Sequence, residues 1–273
     1  EGPAAGHEVL SNPASARISR VAGLSRRNAR AKHRRFLVEG PQGVREAVRH
    51  APGRVLDVYL TEAALERHSE IWDEAVAAGL YVHVTTQQVM DAMSPDAQGL
   101  LAVVATEEAT GSEALAAALE GARLVAVLTQ AQDPGNAGTI IRAADAAGAD
   151  AVVLVRGSVD PTAPKVVRST AGSLFHLPVV TGVALDDAVT ALHNAGLTVL
   201  AADGRGDFDL FEAESLLEAP SAWLLGNEAH GLPSEALSRA DAVVSIPIYG
   251  KAESLNVAAA AAVCLYASAR AQA

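Results

Sequence analysis

Three stretches in the C-terminal half concentrate side chains suited to holding or ionising a substrate. The first, Asp133-Pro-Gly-Asn-Ala-Gly-Thr-Ile-Ile-Arg142, sets Asn136 and Arg142 around glycines that open a helix, so backbone N–H groups can face an anion or a ligand. Its spacing is not G-x-G-x-x-G, and no acidic residue ends the next strand, so a dinucleotide fingerprint is absent. The second, Gly226-Asn-Glu-Ala-His-Gly231, puts an amide, a carboxylate and an imidazole between two glycines after an apolar segment. The third, Ile246-Pro-Ile-Tyr-Gly-Lys-Ala-Glu-Ser-Leu-Asn256, passes from a strand through a glycine turn to a helix start. Each has a plainer explanation: Arg142 as an i,i+3 surface partner of Asp145, Glu228 as a helix cap, Ser254 as an N-cap with Asn256 in the first turn. Capping does not account for three such loops in one half of one chain.

The elements that must position these loops follow from hydrophobic patterning. Continuous apolar runs at Leu124–Leu128, Ala151–Val155, Leu197–Ala201, Trp223–Leu225 and Val243–Ile246 predict strands buried on both faces, hence a largely parallel sheet. Helical segments over about 136–148, 186–195, 233–239 and 254–270 cover it, and ligands of such sheets bind at the C-terminal strand ends. The first hundred residues alternate strands at 36–40, Val55–Leu60, Leu80–Val84 and Leu100–Thr106 with helices over 41–50 and 62–78. The polar stretch 107–112 reads as a linker, with Ser112 capping a helix over 113–120. The chain is thus an α/β protein with a first domain over 1–108 and a second over 121–273.

Half of the 273 residues are hydrophobic, enough for a full core, while 4% are aromatic. Cys264 is the single cysteine, so neither an intrachain disulfide nor a cysteine-based zinc site is possible, and no cluster of metal ligands is legible. The longest apolar run, Val257 to Ala267, is about half of what a bilayer requires, and no signal segment is read after Glu1. A reduced, cytoplasmic setting without membrane contact is expected. Net charge is −11, yet residues 17–54 hold eleven Arg or Lys against two Asp or Glu, leaving the rest at −20. Within that stretch Arg26, Arg27, Arg30, Lys32, Arg34 and Arg35 crowd into ten residues. A polyanion rewards such local density by counterion release whatever the charge elsewhere; the alternative is a solvated helix face or a basic tail.

Together, Asn136-x-Gly138-x-x-x-Arg142, Gly226-Asn-Glu228-x-x-Gly231 and Ile246-Pro-x-x-x-x-x-Glu-Ser-Leu-Asn256 resemble the three ordered motifs of the SpoU/TrmH-type RNA 2′-O-ribose methyltransferases of the SPOUT superfamily. The resemblance spans about 120–270. Residues 30–40 also resemble the start of the ribosomal-protein-like RNA-binding domain carried by rRNA-modifying members.

The resemblance implies a deep C-terminal trefoil knot, S-adenosylmethionine as cofactor, and a homodimer in which both subunits build each site. By position it assigns cofactor contacts to Gly226, Ile246 and Leu255, and catalysis to Arg142 with Asn136, Glu228, Ser254 and Asn256. Glu228 would either hold a guanidinium or cap backbone. Lys165 and Arg168 join the basic cluster as expected RNA contacts, with helix solvation as the alternative. The expected activity is 2′-O-methylation of 23S rRNA. tRNA as substrate and a non-catalytic RNA-binding or assembly role are the alternatives, the second opposed by the intact polar set.

Overall fold

The computed structural model describes residues 7–107 and 109–273. Glu108, which ends the expected first domain, lies outside the described residues. The strands in chain order are β1 (Val9–Leu10), β2 (Arg35–Glu39), β3 (Val55–Thr61), β4 (Val82–Thr85), β5 (Leu100–Ala105), β6 (Leu124–Leu128), β7 (Ala151–Val155), β8 (Val179–Val183), β9 (Thr198–Ala202), β10 (Phe208–Asp209), β11 (Ser221–Leu225) and β12 (Ala242–Ser245). They form two sheets, and the chain clusters into two compact units: Glu1–Glu107 with Thr162–Phe175, and Glu108–Pro161 with His176–Ala273.

The first unit holds a mixed sheet in the order β1-β4-β3-β5-β2, with β5 antiparallel to both of its neighbours. Side chains alternate across it, as the two-residue strand period demands. Phe36, Val38, Val58, Leu60 and Ala102 enter one core; Leu37, Tyr59, Leu101 and Val103 enter another beneath Ile18, Val21 and Met90. Val167, Leu174 and Phe175 complete the first of these cores, with the Phe175 ring stacked 6.4 Å from that of Phe36. This apolar contact is why Thr162–Phe175, expected with the second domain, clusters here.

In the second unit seven parallel strands run in the order β10-β12-β9-β11-β6-β7-β8. Every residue of β6, β7 and β11 is buried, as their unbroken apolar runs require. Val125, Val127, Val153, Val199 and Leu224 share one core. Trp223 is fully buried, and its indole N–H donates to Ser268 at 2.8 Å on the last helix, Val257–Gln272. From β6 the chain steps outward to β7 and β8, then returns across the sheet to β9. This reversal leaves the C-terminal ends of β6 and β11 side by side, which is where open α/β sheets form a crevice.

Several expected boundaries differ. The helix over 62–78 divides at His68 (φ −127°, ψ 44°) into Glu62–Arg67 and Ser69–Ala77. The helix expected from 113 begins at Gly111 behind Thr110, so Ser112 is a first-turn residue instead of a cap. Strands β1, β8 and β10 and the helices Ala16–Gly23, Arg27–His33 and Gln87–Met93 carry no legible apolar run; β8 is interrupted by Thr181 and Gly182. No helix among the described residues is long and apolar enough to cross a membrane.

Candidate active site

The edge formed by the ends of β6, β11 and β12 gathers the three loops. Thr129, one residue past β6, donates both its backbone N–H (2.9 Å) and its hydroxyl (2.8 Å) to Leu225 O, holding the two strand ends together. At Gly226 a Cβ would stand 2.5 Å from Gly231 C and 2.7 Å from Leu232 N. Glycine is therefore demanded by the loop folding back on itself. Asn227 organises that fold. It exchanges backbone hydrogen bonds with Gly231 at 3.0 and 2.9 Å, accepts through Oδ1 from the N–H groups of Ala229 and His230, and donates Nδ2 to Gln130 O at 2.8 Å.

Glu228 then ties the second loop to the first. Its carboxylate accepts from the backbone N–H of Asp133 at 3.1 Å and of Gln132 at 3.4 Å. Of its two expected roles, capping backbone is therefore the one formed; it has no ion pair among the described residues. Asp133 in turn caps the helix Pro134–Ala146 by accepting from Asn136 N–H at 2.8 Å. Asn136 Oδ1 accepts from Asn256 Nδ2 at 3.2 Å, while Asn256 Oδ1 accepts from the N–H groups of Ala258 and Ala259. Asn256, then, and not Ser254, is the N-cap of the last helix. Ser254 is exposed, with no hydrogen-bond partner among the described residues. A single relay thus links the loops, from the β11 turn through Glu228 to the helix start and through Asn136 to Asn256.

Arg142 lies on the exposed face of Pro134–Ala146 and has no hydrogen bond or ion pair among the described residues. The surface pair with Asp145 does not form, because Asp145 binds His176 Nδ1 at 2.7 Å. A guanidinium without a partner keeps all its donors for a ligand. His230 is exposed, and its imidazole also has no partner among the described residues. Ile246 is half-buried, while Ile248 (38%) and Leu255 (40%) present exposed apolar surface. These side chains, beside the backbone polar groups of a loop without secondary structure, suit a flat heterocycle with polar substituents.

The loop after β9, not singled out from the sequence, reaches the same edge: Asp203 N–H donates to Val244 O at 3.1 Å. Arg205 hydrogen bonds hold the Asp203 carboxyl below the usual carboxylate range. The polar run after an apolar strand is the signal that marks it.

The basic segment is less uniform than its composition suggests. Arg27–His33 is helical, but Arg34 (φ 53°) adopts the left-handed conformation and turns the chain into β2 at Arg35, so no single face carries all the cations. Arg26, Arg27, Lys32, Arg34 and Arg35 are exposed. Arg30 is a correction: it is 6% exposed and donates to Leu24 O and Ser25 O, closing the preceding turn. Arg168 is likewise engaged, at 2.8 Å from Glu39 and 3.4 Å from Asp96, whereas the Lys165 ammonium has no partner among the described residues.

Comparison with known proteins adds a second line of observation. The family model described as SpoU rRNA Methylase family matches residues 123–266, and that of the MRM3-like substrate binding domain matches residues 15–102. The chain is 35% identical over 248 residues to the 23S rRNA (guanosine(2553)-2′-O)-methyltransferase RlmP of Bacillus subtilis, covering 89% of this chain and 92% of the relative. It is 34% identical over 261 residues to the 23S rRNA (uridine(2479)-2′-O)-methyltransferase of Streptomyces viridochromogenes, covering 90% and 86%. The AdoMet-bound rRNA methyltransferase of Sinorhizobium meliloti is similar with a TM-score of 0.81 at 27% identity, over 96% of this chain and 97% of that one.

Proposed function

Because the chain belongs to the SpoU rRNA methylase family, we propose that it methylates a ribose 2′-hydroxyl of 23S rRNA with S-adenosylmethionine as methyl donor. The observation that carries this reading is the relay from Glu228 through Asp133 and Asn136 to Asn256, which holds three loops at one crevice while leaving Arg142 without a partner. The cofactor would be held by the backbone around Gly226 and by the apolar surface of Ile246 and Leu255, and it supplies an electrophilic methyl group.

The chain's own residues must align the hydroxyl and stabilise the charge that develops on its oxygen. A free guanidinium has a pKa of roughly 12.5–13.8, so Arg142 is a poor base near neutrality. Its task is to donate to the developing alkoxide and to an adjoining phosphate, where a preorganised cation is most effective. Asn136 and Asn256 orient the ribose, with Ser254 as a further hydroxyl at the loop, and Glu228 keeps the first loop in place through two backbone N–H groups. RNA docking falls to Arg26, Arg27, Lys32, Arg34, Arg35 and Lys165.

The second unit is read as knotted. What supports this is that β11 and β12 lie on opposite sides of β9, while Asn256 after β12 reaches Asn136 on the helix whose start is tied to the 226–233 loop. An experimental density trace running outside that loop would remove the knot. A homodimer is supported by the unpartnered Arg142 and the half-exposed Phe208, Phe211 and Tyr266; a solution mass of one 28.0 kDa chain would oppose it. The activity itself is tested with radiolabelled S-adenosylmethionine and either 23S rRNA or tRNA. Label is expected on the ribose of 23S rRNA, and its absence there, with no cofactor binding, would overturn the assignment.

A further inference from the structure

Residues Pro247–Leu255 form neither helix nor strand, and no hydrogen bond among the described residues restrains them. The segment is nonetheless anchored beside the catalytic relay, since β12 precedes it and Asn256 closes it on Asn136. At its tip stand Tyr249, 87% exposed, and Lys251, also exposed. Neither side chain has a partner among the described residues, and a Cβ on Gly250 between them would meet nothing within 4 Å.

Tyr249 and Tyr81 (74%) are both strongly exposed, but Tyr81 belongs to the first unit, whereas Tyr249 stands beside the three loops of the second. Of the chain's other two tyrosines, Tyr59 is buried and receives Arg17 Nε on its hydroxyl, and Tyr266 donates to Ala146 O at 3.2 Å. An aromatic ring left in water forgoes the stabilisation that burial supplies, so the fold itself gains nothing from placing Tyr249 there. A flat ring with a cation two residues away fits one chemistry well. Unpaired nucleobases stack on aromatic faces while their phosphates meet lysine or arginine.

We propose that Tyr249 stacks on a nucleobase at or beside the methylated nucleotide, and that Lys251 contacts the adjoining phosphate. The pair positions the RNA strand against Arg142. This rests on the methyltransferase reading above and adds to it the residues that grip the base.

The test compares steady-state methylation of 23S rRNA by the full-length protein and its variants, with S-adenosylmethionine affinity measured by calorimetry. Tyr249→Ala should raise KM for RNA about tenfold, the share of one base–aromatic stack, with kcat within about twofold and cofactor affinity unchanged. Tyr249→Phe and Tyr249→Trp should keep the wild-type KM, because the π face and not the hydroxyl is used. Lys251→Ala should reduce the salt dependence of RNA binding by about one ion, with Lys251→Arg restoring it. An unchanged KM in Tyr249→Ala, an equal loss in Tyr249→Phe, a loss of cofactor affinity or a change in oligomeric state would each overturn the proposal. If the wild-type protein transfers no methyl group to 23S rRNA, the functional reading fails instead, which separates the two.

Discussion

In the first unit five of the seven arginines outside the 26–35 stretch are met by a carboxylate. Arg17 reaches Asp57 and Tyr59, Arg45 reaches Glu70, Arg49 forms a forked pair with Glu74, Arg54 reaches Glu107, and Arg168 reaches Glu39. At the loops 133–142, 226–231 and 246–256 of the second unit the pattern inverts, although Arg205 in the loop after β9 is paired with Asp203. Arg142 and Lys251 have no partner among the described residues, and the carboxylate of Glu228 is taken up by backbone N–H groups. Exposed pairs such as Arg45–Glu70 contribute little to stability, about 0–1 kcal/mol, yet they occupy the charge. Arg142 escapes such occupation, since Asp145 on the same Pro134–Ala146 helix meets His176. The contrast separates charge engaged within the fold from charge left without a partner among the described residues.

The strongest way to break this contrast is Arg142→Ala. Methyl transfer should fall by roughly 100- to 1,000-fold, with the melting temperature and cofactor affinity nearly unchanged, since the exposed side chain makes no hydrogen bond or ion pair among the described residues. Retained activity would show that the unpaired guanidinium is not used. A smaller effect is expected on the other side of the comparison. The Glu39 side chain is 4% exposed and that of Arg168 35%, so Arg168→Ala leaves a nearly buried carboxylate with only the Ser94 hydroxyl and solvent. After allowance for the solvent-facing arginine, the loss is about 2–3 kcal/mol in urea unfolding, with a wild-type salt dependence of RNA binding. A change of salt slope without loss of stability would return Arg168 to the RNA surface. The smallest effect concerns a group kept uncharged. Burial pushes the Cys264 thiol from 9.0 up to about 12, so the folded chain retains a proton that the unfolded chain releases. Its contribution to stability is therefore present below about pH 9 and lost as the pH rises towards 12. At pH 8 the native protein should resist iodoacetamide at Cys264, and rapid alkylation would contradict the burial.

Much of the second unit was legible because buried parallel strands need unbroken apolar runs, which place β6, β7 and β11 within a residue or two of their observed limits. Edge strands β1 and β10 are two residues long and leave no such pattern. The caps were harder to read. Ser254 and Asn256 are both good N-cap types, and the side chain that becomes the cap depends on where the loop is pulled, here by Asn136. Asn227 was visible within its motif, but its role in closing the turn was not. The basic cluster was evident from composition, whereas Arg30 turning inward on Leu24 O was not, because composition carries no direction.

The sequence by itself determined the residue types at the three loops, the parallel α/β core beneath them and the family to which they belong. These are local properties: apolar runs, glycines at strand ends and polar residues at set spacings. Tertiary structure alone decided that Glu228 caps Asp133 instead of meeting an arginine, that Asp145 is diverted from Arg142 to His176, and that Thr162–Phe175 joins the first core. Each of those outcomes depends on which groups from distant parts of the chain arrive within 3 Å or so of one another. Hydrogen bonds and ion pairs act only at that range, so the assembled fold selects among partners that spacing leaves equivalent.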